Sequence, residues 1–96
     1  MSLLNNEQIN DELKNMDGWV YKDNKICKSY HFESYMDGIN FVNILAKKAE
    51  ELNHHPDLNV GWCEVSVSFT SHDKGGVTSD CVQMAKTVEE LSLIHI

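Results

Sequence analysis

The sequence predicts an α+β fold in two layers, in the order α-β-β-α-β-β-α, with a four-stranded antiparallel sheet covered on one face by helices. Three observations carry this expectation. Apolar residues recur at helical spacing in three separated segments, they alternate with polar residues in the segments between, and Gly, Asn and Asp mark the boundaries.

The first helix starts from Asn5 or Asn6 as a cap, places Ile9, Leu13 and Met16 on one face, and stops at Asp17-Gly18. Trp19-Val20-Tyr21, the polar turn Lys22-Asp23-Asn24-Lys25 and the run Ile26 to Phe32 then read as a β-hairpin, with Ile26, Tyr30 and Phe32 on one face of its second strand. Ser34 caps the second helix, and Asp37 in its first turn complements the positive end of the helix dipole. Tyr35, Ile39, Val42, Ala46 and Ala49 form its apolar stripe; Pro56 ends it by disfavouring helical geometry at His55. Val60 to Trp62, then Val65, Val67 and Phe69 alternating with Glu64, Ser66, Ser68 and Thr70, give a second pair of strands. Their polar face, small and hydroxyl-rich, suits either solvent or a partner's surface. Gly75-Gly76 breaks the chain. Thr78 or Ser79 opens a last helix with Asp80 in its first turn and Val77, Cys81, Met84, Val88 and Leu91 along its apolar side.

Residues 1–96 are enough for one domain and too few for two, and such a chain buries roughly 60 to 70% of its surface on folding. Cys27, Cys63 and Cys81 are odd in number and widely spaced, which argues against a disulfide framework or a structural zinc site and for a reducing compartment. No apolar run reaches the roughly 20 residues of a membrane span, and the N-terminus lacks a signal peptide's basic-then-apolar order, so a cytoplasmic protein is expected. The formal charge of −7 repels phosphate backbones, which speaks against direct nucleic-acid binding. Trp19 and Trp62 read first as core residues.

Three of the five histidines fall close together: His54 and His55 before the single proline, and His72 at the end of the longest predicted strand. Imidazole is the side chain whose ordinary pKa, about 6.5, lies near neutrality, so such a cluster points to proton-transfer chemistry. Glu50, Asn53 and His54 stand at i, i+3 and i+4, so Glu50 and His54 are expected to converge in the helix's last turn, where carboxylate and helix dipole both favour an imidazolium. The bland alternative is that His54 caps a helix and His72 occupies a turn. A catalytic zinc site needs a comparable ligand count, but adjacent residues at a helix end chelate one ion poorly, so no metal is expected. His31 and His95 read as solvated or structural.

The stretch Glu50-x-x-x-His54-His55-Pro56, the aromatic at Trp62, His72 after an alternating strand and Asp80 opening the last helix resemble the pterin-4a-carbinolamine dehydratase family over nearly the whole chain. A His-His-Pro alone is weak; the acidic residue before it and the third histidine after it make the pattern specific. The resemblance implies dehydration of 4a-hydroxytetrahydropterin to quinonoid dihydropterin in tetrahydrobiopterin recycling, with no cofactor. It further implies His54, His55 and His72 as catalytic imidazoles, and a homodimer or homotetramer. Glu50, Asn53, Trp62, Ser71 and Asp80 are expected to bind the pterin, four of them as polar partners for its amide and amino edge. His54 is expected to act as acid for the departing hydroxyl, with His72 and His55 completing the set. Departures from the family pattern are Asn53 in place of a frequent Asp, Leu58 in place of a frequent aromatic, and a His72–Asp80 loop one residue short. Two alternatives are a protein-binding module, the dimerisation cofactor of a transcription factor, and a role in another pterin pathway such as molybdopterin metabolism.

Overall fold

The computed structural model describes residues 3–96; Met1 and Ser2, where the expected absence of a signal peptide begins, lie outside them. The elements follow the expected order: α1 (Asn6–Leu13), β1 (Val20–Lys22), β2 (Lys25–His31), α2 (Tyr35–Leu52), β3 (Asp57–Val60), β4 (Glu64–Phe69) and α3 (Ser79–His95). The four strands form one antiparallel sheet in the order β1-β2-β4-β3. Helix α2 leads from the inner strand β2 to the edge strand β3, and the following tight turn returns the chain to the centre as β4. Asn5 closes α1 reciprocally: its side chain accepts from the Gln8 amide while Gln8 accepts from the Asn5 N–H, each at 2.8 Å.

Period-two alternation sends Ile26 and Tyr30 of β2, and Val65, Val67 and Phe69 of β4, toward the helices, where all five are buried. The opposite face carries Cys27, Ser29, Ser66, Ser68, Asp57 and Asn59, with the Ser29 and Ser66 hydroxyls 2.8 Å apart across the strands. Phe41 fills the centre of the core between Tyr30 and Phe32, at ring separations of 5.3 and 5.5 Å.

Several expected boundaries and faces differ. Helix α1 ends at Leu13, and Met16 enters the core from the turn that follows it. Strand β2 ends at His31; Phe32 lies just beyond it, its N–H donating to the Cys63 carbonyl at 2.9 Å. On α2 the buried line is Gly38, Phe41, Leu45 and Ala49, while Tyr35 and Ala46 of the expected stripe are exposed. Both lines have helical spacing, and the sheet selects the one holding the larger Phe41 and Leu45. Gly38 belongs to that line because α2 comes close to β4 there: a Cβ would stand 3.4 Å from Val65. Strand β3 begins directly after Pro56 and stops at Val60, so Trp62 falls in the turn to β4 and is 82% exposed, whereas Trp19 is buried as expected. No helix among the described residues is long and apolar enough to cross a membrane.

Candidate functional site

The end of α2 is shaped by Asn53, which adopts the left-handed conformation (φ 51°, ψ 44°) that asparagine tolerates better than most residues. The His54 N–H then donates to the Ala49 carbonyl at 3.1 Å, a bond spanning five residues that closes the helix end. This turn folds the His54 ring back against Phe69, with ring centres 5.8 Å apart. The convergence of Glu50 on His54 therefore does not form. Helical i, i+4 geometry requires helical backbone through residue 54, and the left-handed Asn53 rotates His54 away and brings His55 round instead. The Glu50 carboxylate hydrogen-bonds Nε2 of His55.

His54 lines a cleft of about 230 Å³ together with Leu52, Asn53, Asp80, Gln83 and Met84. Three of the expected site residues, Asn53, His54 and Asp80, thus meet in one cavity between the end of α2 and the start of α3. His72 follows β4, and its Nε2 lies 3.9 Å from Oδ2 of Asp57, the first residue of β3. His54 therefore opens onto a cleft between the end of α2 and the start of α3, while His55 and His72 each face a carboxylate, of Glu50 and of Asp57.

Ser71 and Trp62 are placed differently. The Ser71 hydroxyl accepts from the Lys74 N–H at 3.3 Å, its N–H donates to the Gly76 carbonyl at 2.8 Å, and its carbonyl accepts from the Gly75 N–H at 2.8 Å. Ser71 closes the loop that carries His72. Trp62 lies at the opposite end of the β3–β4 hairpin: Val60 and Asp57 are separated along β3 by roughly 10 Å, at about 3.3 Å per residue. It lines a separate, open cavity of about 620 Å³ with His31, Asn59, Cys63, Glu64 and Ser66 among others. Within one chain the structure does not bring Trp62 into the cleft of His54. Sequence reasoning missed Asp57, Gln83 and Met84. Asp57 directly follows Pro56, and Gln83 stands one turn after Asp80, so both were within reach of spacing arguments.

The strongest electrostatic perturbations lie outside this cleft. Oε1 of Glu89 accepts from Trp19 Nε1 at 3.0 Å, from Lys28 Nζ at 2.6 Å and from the Tyr30 hydroxyl. Burial pushes the Glu89 carboxyl up, but these donors outweigh it and hold the group below its usual range. Burial, reinforced by Glu89, drives the Tyr30 phenol well above its usual value. Lys28 also donates to the Asp17 carbonyl at 2.8 Å and stands 4.8 Å from the centre of the Tyr30 ring. The cluster ties the β1–β2 hairpin to α3. Among the described residues, no three His, Cys, Asp or Glu side chains converge to hold a metal ion.

A sequence model of the family described as Pterin 4 alpha carbinolamine dehydratase matches residues 2–91. A provisionally named pterin-4-alpha-carbinolamine dehydratase from Sulfurisphaera tokodaii is 38% identical over 91 residues, covering 95% of this chain and 98% of that protein. A second, from Mycobacterium avium, is 38% identical over 88 residues, covering 92% and 94%. Among solved structures, a protein from Brucella melitensis described as a transcriptional coactivator/pterin dehydratase superposes with a TM-score of 0.88 at 28% identity, over 94% of this chain and 98% of its own.

Proposed function

Because the chain belongs to the pterin 4 alpha carbinolamine dehydratase family, we propose that residues 1–96 act as one cytoplasmic hydro-lyase domain. It dehydrates 4a-hydroxytetrahydropterin to quinonoid dihydropterin and water, in tetrahydrobiopterin recycling. The observation that carries this reading is the junction at which His54 opens onto a cleft shared with Asn53 and Asp80 while His55 and His72 each face a carboxylate.

The reaction breaks the C4a–O bond and the N5–H bond and forms C4a=N5. An acid must protonate the departing hydroxyl while a base takes the N5 proton. Imidazoles supply both roles near neutral pH. Glu50 hydrogen-bonds His55 and orients its ring, so we assign His55 as the proton donor to the leaving oxygen. His54, against Phe69 and open to the cleft, is placed as the base at N5, and His72, beside Asp57, completes the acid–base set. This reverses the roles that spacing implied for His54 and His55, because Glu50 has changed partner. Asn53 and Asp80 hold the ring. The full chain, assayed with 4a-hydroxytetrahydropterin, should release quinonoid dihydropterin well above the spontaneous rate; a rate equal to background overturns the reading.

A second reading, a protein-binding module, is favoured by the 82% exposure of Trp62 beside the exposed Val60, an aromatic–aliphatic pair of the kind that anchors interfaces. It rises to first place if the dehydratase assay fails. Activity on a different reduced pterin, with none on this substrate, would instead place the chain in another pterin pathway.

A further inference from the structure

We propose that Gln83 is a specificity-determining residue of the cleft, donating through its carboxamide to the 4-oxo group of the pterin ring; the inference rests on the dehydratase reading of the same cleft. The pyrimidinone edge of a pterin offers a ring N–H and an amino group as donors, next to one carbonyl acceptor. A carboxylate can only accept, so Asp80 is suited to the two donors and cannot serve the carbonyl. The carbonyl needs an N–H partner beside Asp80.

Gln83 supplies one. Asp80, Gln83 and Met84 stand at i, i+3 and i+4 on α3, and all three line the cleft with His54. Met84 is buried and supplies apolar lining, while Asp80 and Gln83 stand one turn apart on the same helix. Gln83 uses its own backbone carbonyl to accept from the Thr87 hydroxyl at 3.0 Å. Among the described residues neither its carboxamide nor the Asp80 carboxylate has a hydrogen-bond partner, so both are free to meet a ligand. Asn53 also carries a carboxamide and lines the cleft from the end of α2, but Gln83 is the one that shares a helix with Asp80, one turn along. A cleft of about 230 Å³ is smaller than the roughly 300–1,000 Å³ that takes in a whole drug-sized ligand. A cleft of that size suits a bare ring better than a ring with its 6-substituent, and α3 then offers Asp80 and Gln83 to the ring's polar edge.

The test compares the full chain with Gln83→Ala and Gln83→Glu, and with Lys86→Ala as a control on the same helix outside the cleft. Turnover of 4a-hydroxytetrahydropterin is measured together with fluorescence-detected binding of two stable probes: oxidised pterin, and 2-aminopteridine, which lacks the 4-oxo group and with it the N3 proton. Gln83→Ala should raise KM and the pterin Kd by roughly 3- to 10-fold, the worth of one neutral hydrogen bond, with kcat within about twofold. Gln83→Glu should raise both further, because a second carboxylate then faces the carbonyl. Neither Gln83→Ala nor the control should alter binding of 2-aminopteridine. The inference is overturned if Gln83→Ala binds pterin within about twofold of the parent, or weakens 2-aminopteridine as much as pterin. Failure of the parent chain itself to bind pterin or to accelerate the reaction would overturn the dehydratase reading along with it, and only that outcome appears in the parent protein.

Discussion

At the scale of single residues, one backbone torsion decides which imidazole meets which carboxylate. Asn53 in the left-handed region sends His55 to Glu50 and His54 to the cleft. Replacing His54 by Ala should lower kcat by about 10²- to 10⁴-fold and change KM far less, since proton transfer matters in the transition state rather than in binding. Steady-state kinetics at neutral pH checks this. Near-parental kcat would remove His54 from the acid–base set. Prolonged treatment with a strong chelator should leave turnover unchanged, because the proposed mechanism takes both the proton donor and the proton acceptor from imidazoles; activity regained only on adding zinc would contradict this.

At the scale of elements, the site depends on where α2 stops. Asn53→Ala should cost about 1 kcal/mol in denaturant unfolding, the penalty of a left-handed residue with a Cβ and no local hydrogen-bonding side chain. Asn53→Gly should not carry that backbone penalty while still losing the carboxamide. Comparing the two variants' stability and KM therefore separates the backbone role from the ligand role. The Glu89 cluster governs the packing of the β1–β2 hairpin on α3. Its carboxyl is held below the ordinary 4.5, so its contribution is complete above about pH 4.5 and is lost as pH falls through the lower folded value. The Tyr30 phenol is raised above the ordinary 10.0, so its contribution is complete below that pH and fades as pH rises further. Glu89→Gln should lower stability at neutral pH by about 2 kcal/mol and flatten the acid limb of the stability profile. Thermal melts across the acid range would show an unchanged limb if the carboxylate were irrelevant.

At the scale of the whole molecule, β1 and β3 are edge strands, each paired on one side among the described residues, and several apolar side chains are exposed. Tyr35 and Met36 at the start of α2, and Val60 and Trp62 at the β3–β4 turn, are all exposed. Unpaired strand edges and exposed apolar groups are liabilities that assembly relieves. The chain should therefore form a homodimer or homotetramer at micromolar concentration, with light scattering giving a multiple of 11.0 kDa. A strict monomer at that concentration would contradict this.

The sequence by itself determined the order of the seven elements, the inward faces of β2 and β4, and the residue types gathered near the histidines. Periodicity, capping residues and the single proline are local, and each acts over a few positions. The buried face of α2 needed tertiary structure, because two adjacent stripes share helical spacing and only the sheet selects between Phe41 with Leu45 and Tyr35 with Ala46. The same holds for Trp62, which an aromatic at the right spacing could not distinguish from a core or site residue until the β3–β4 turn carried it away from His72. Pairings such as Glu50 with His55 and Asp57 with His72, and the meeting of Gln83 with His54, join residues through backbone turns and sheet register. Those are set by packing of the whole chain, and linear spacing does not encode them.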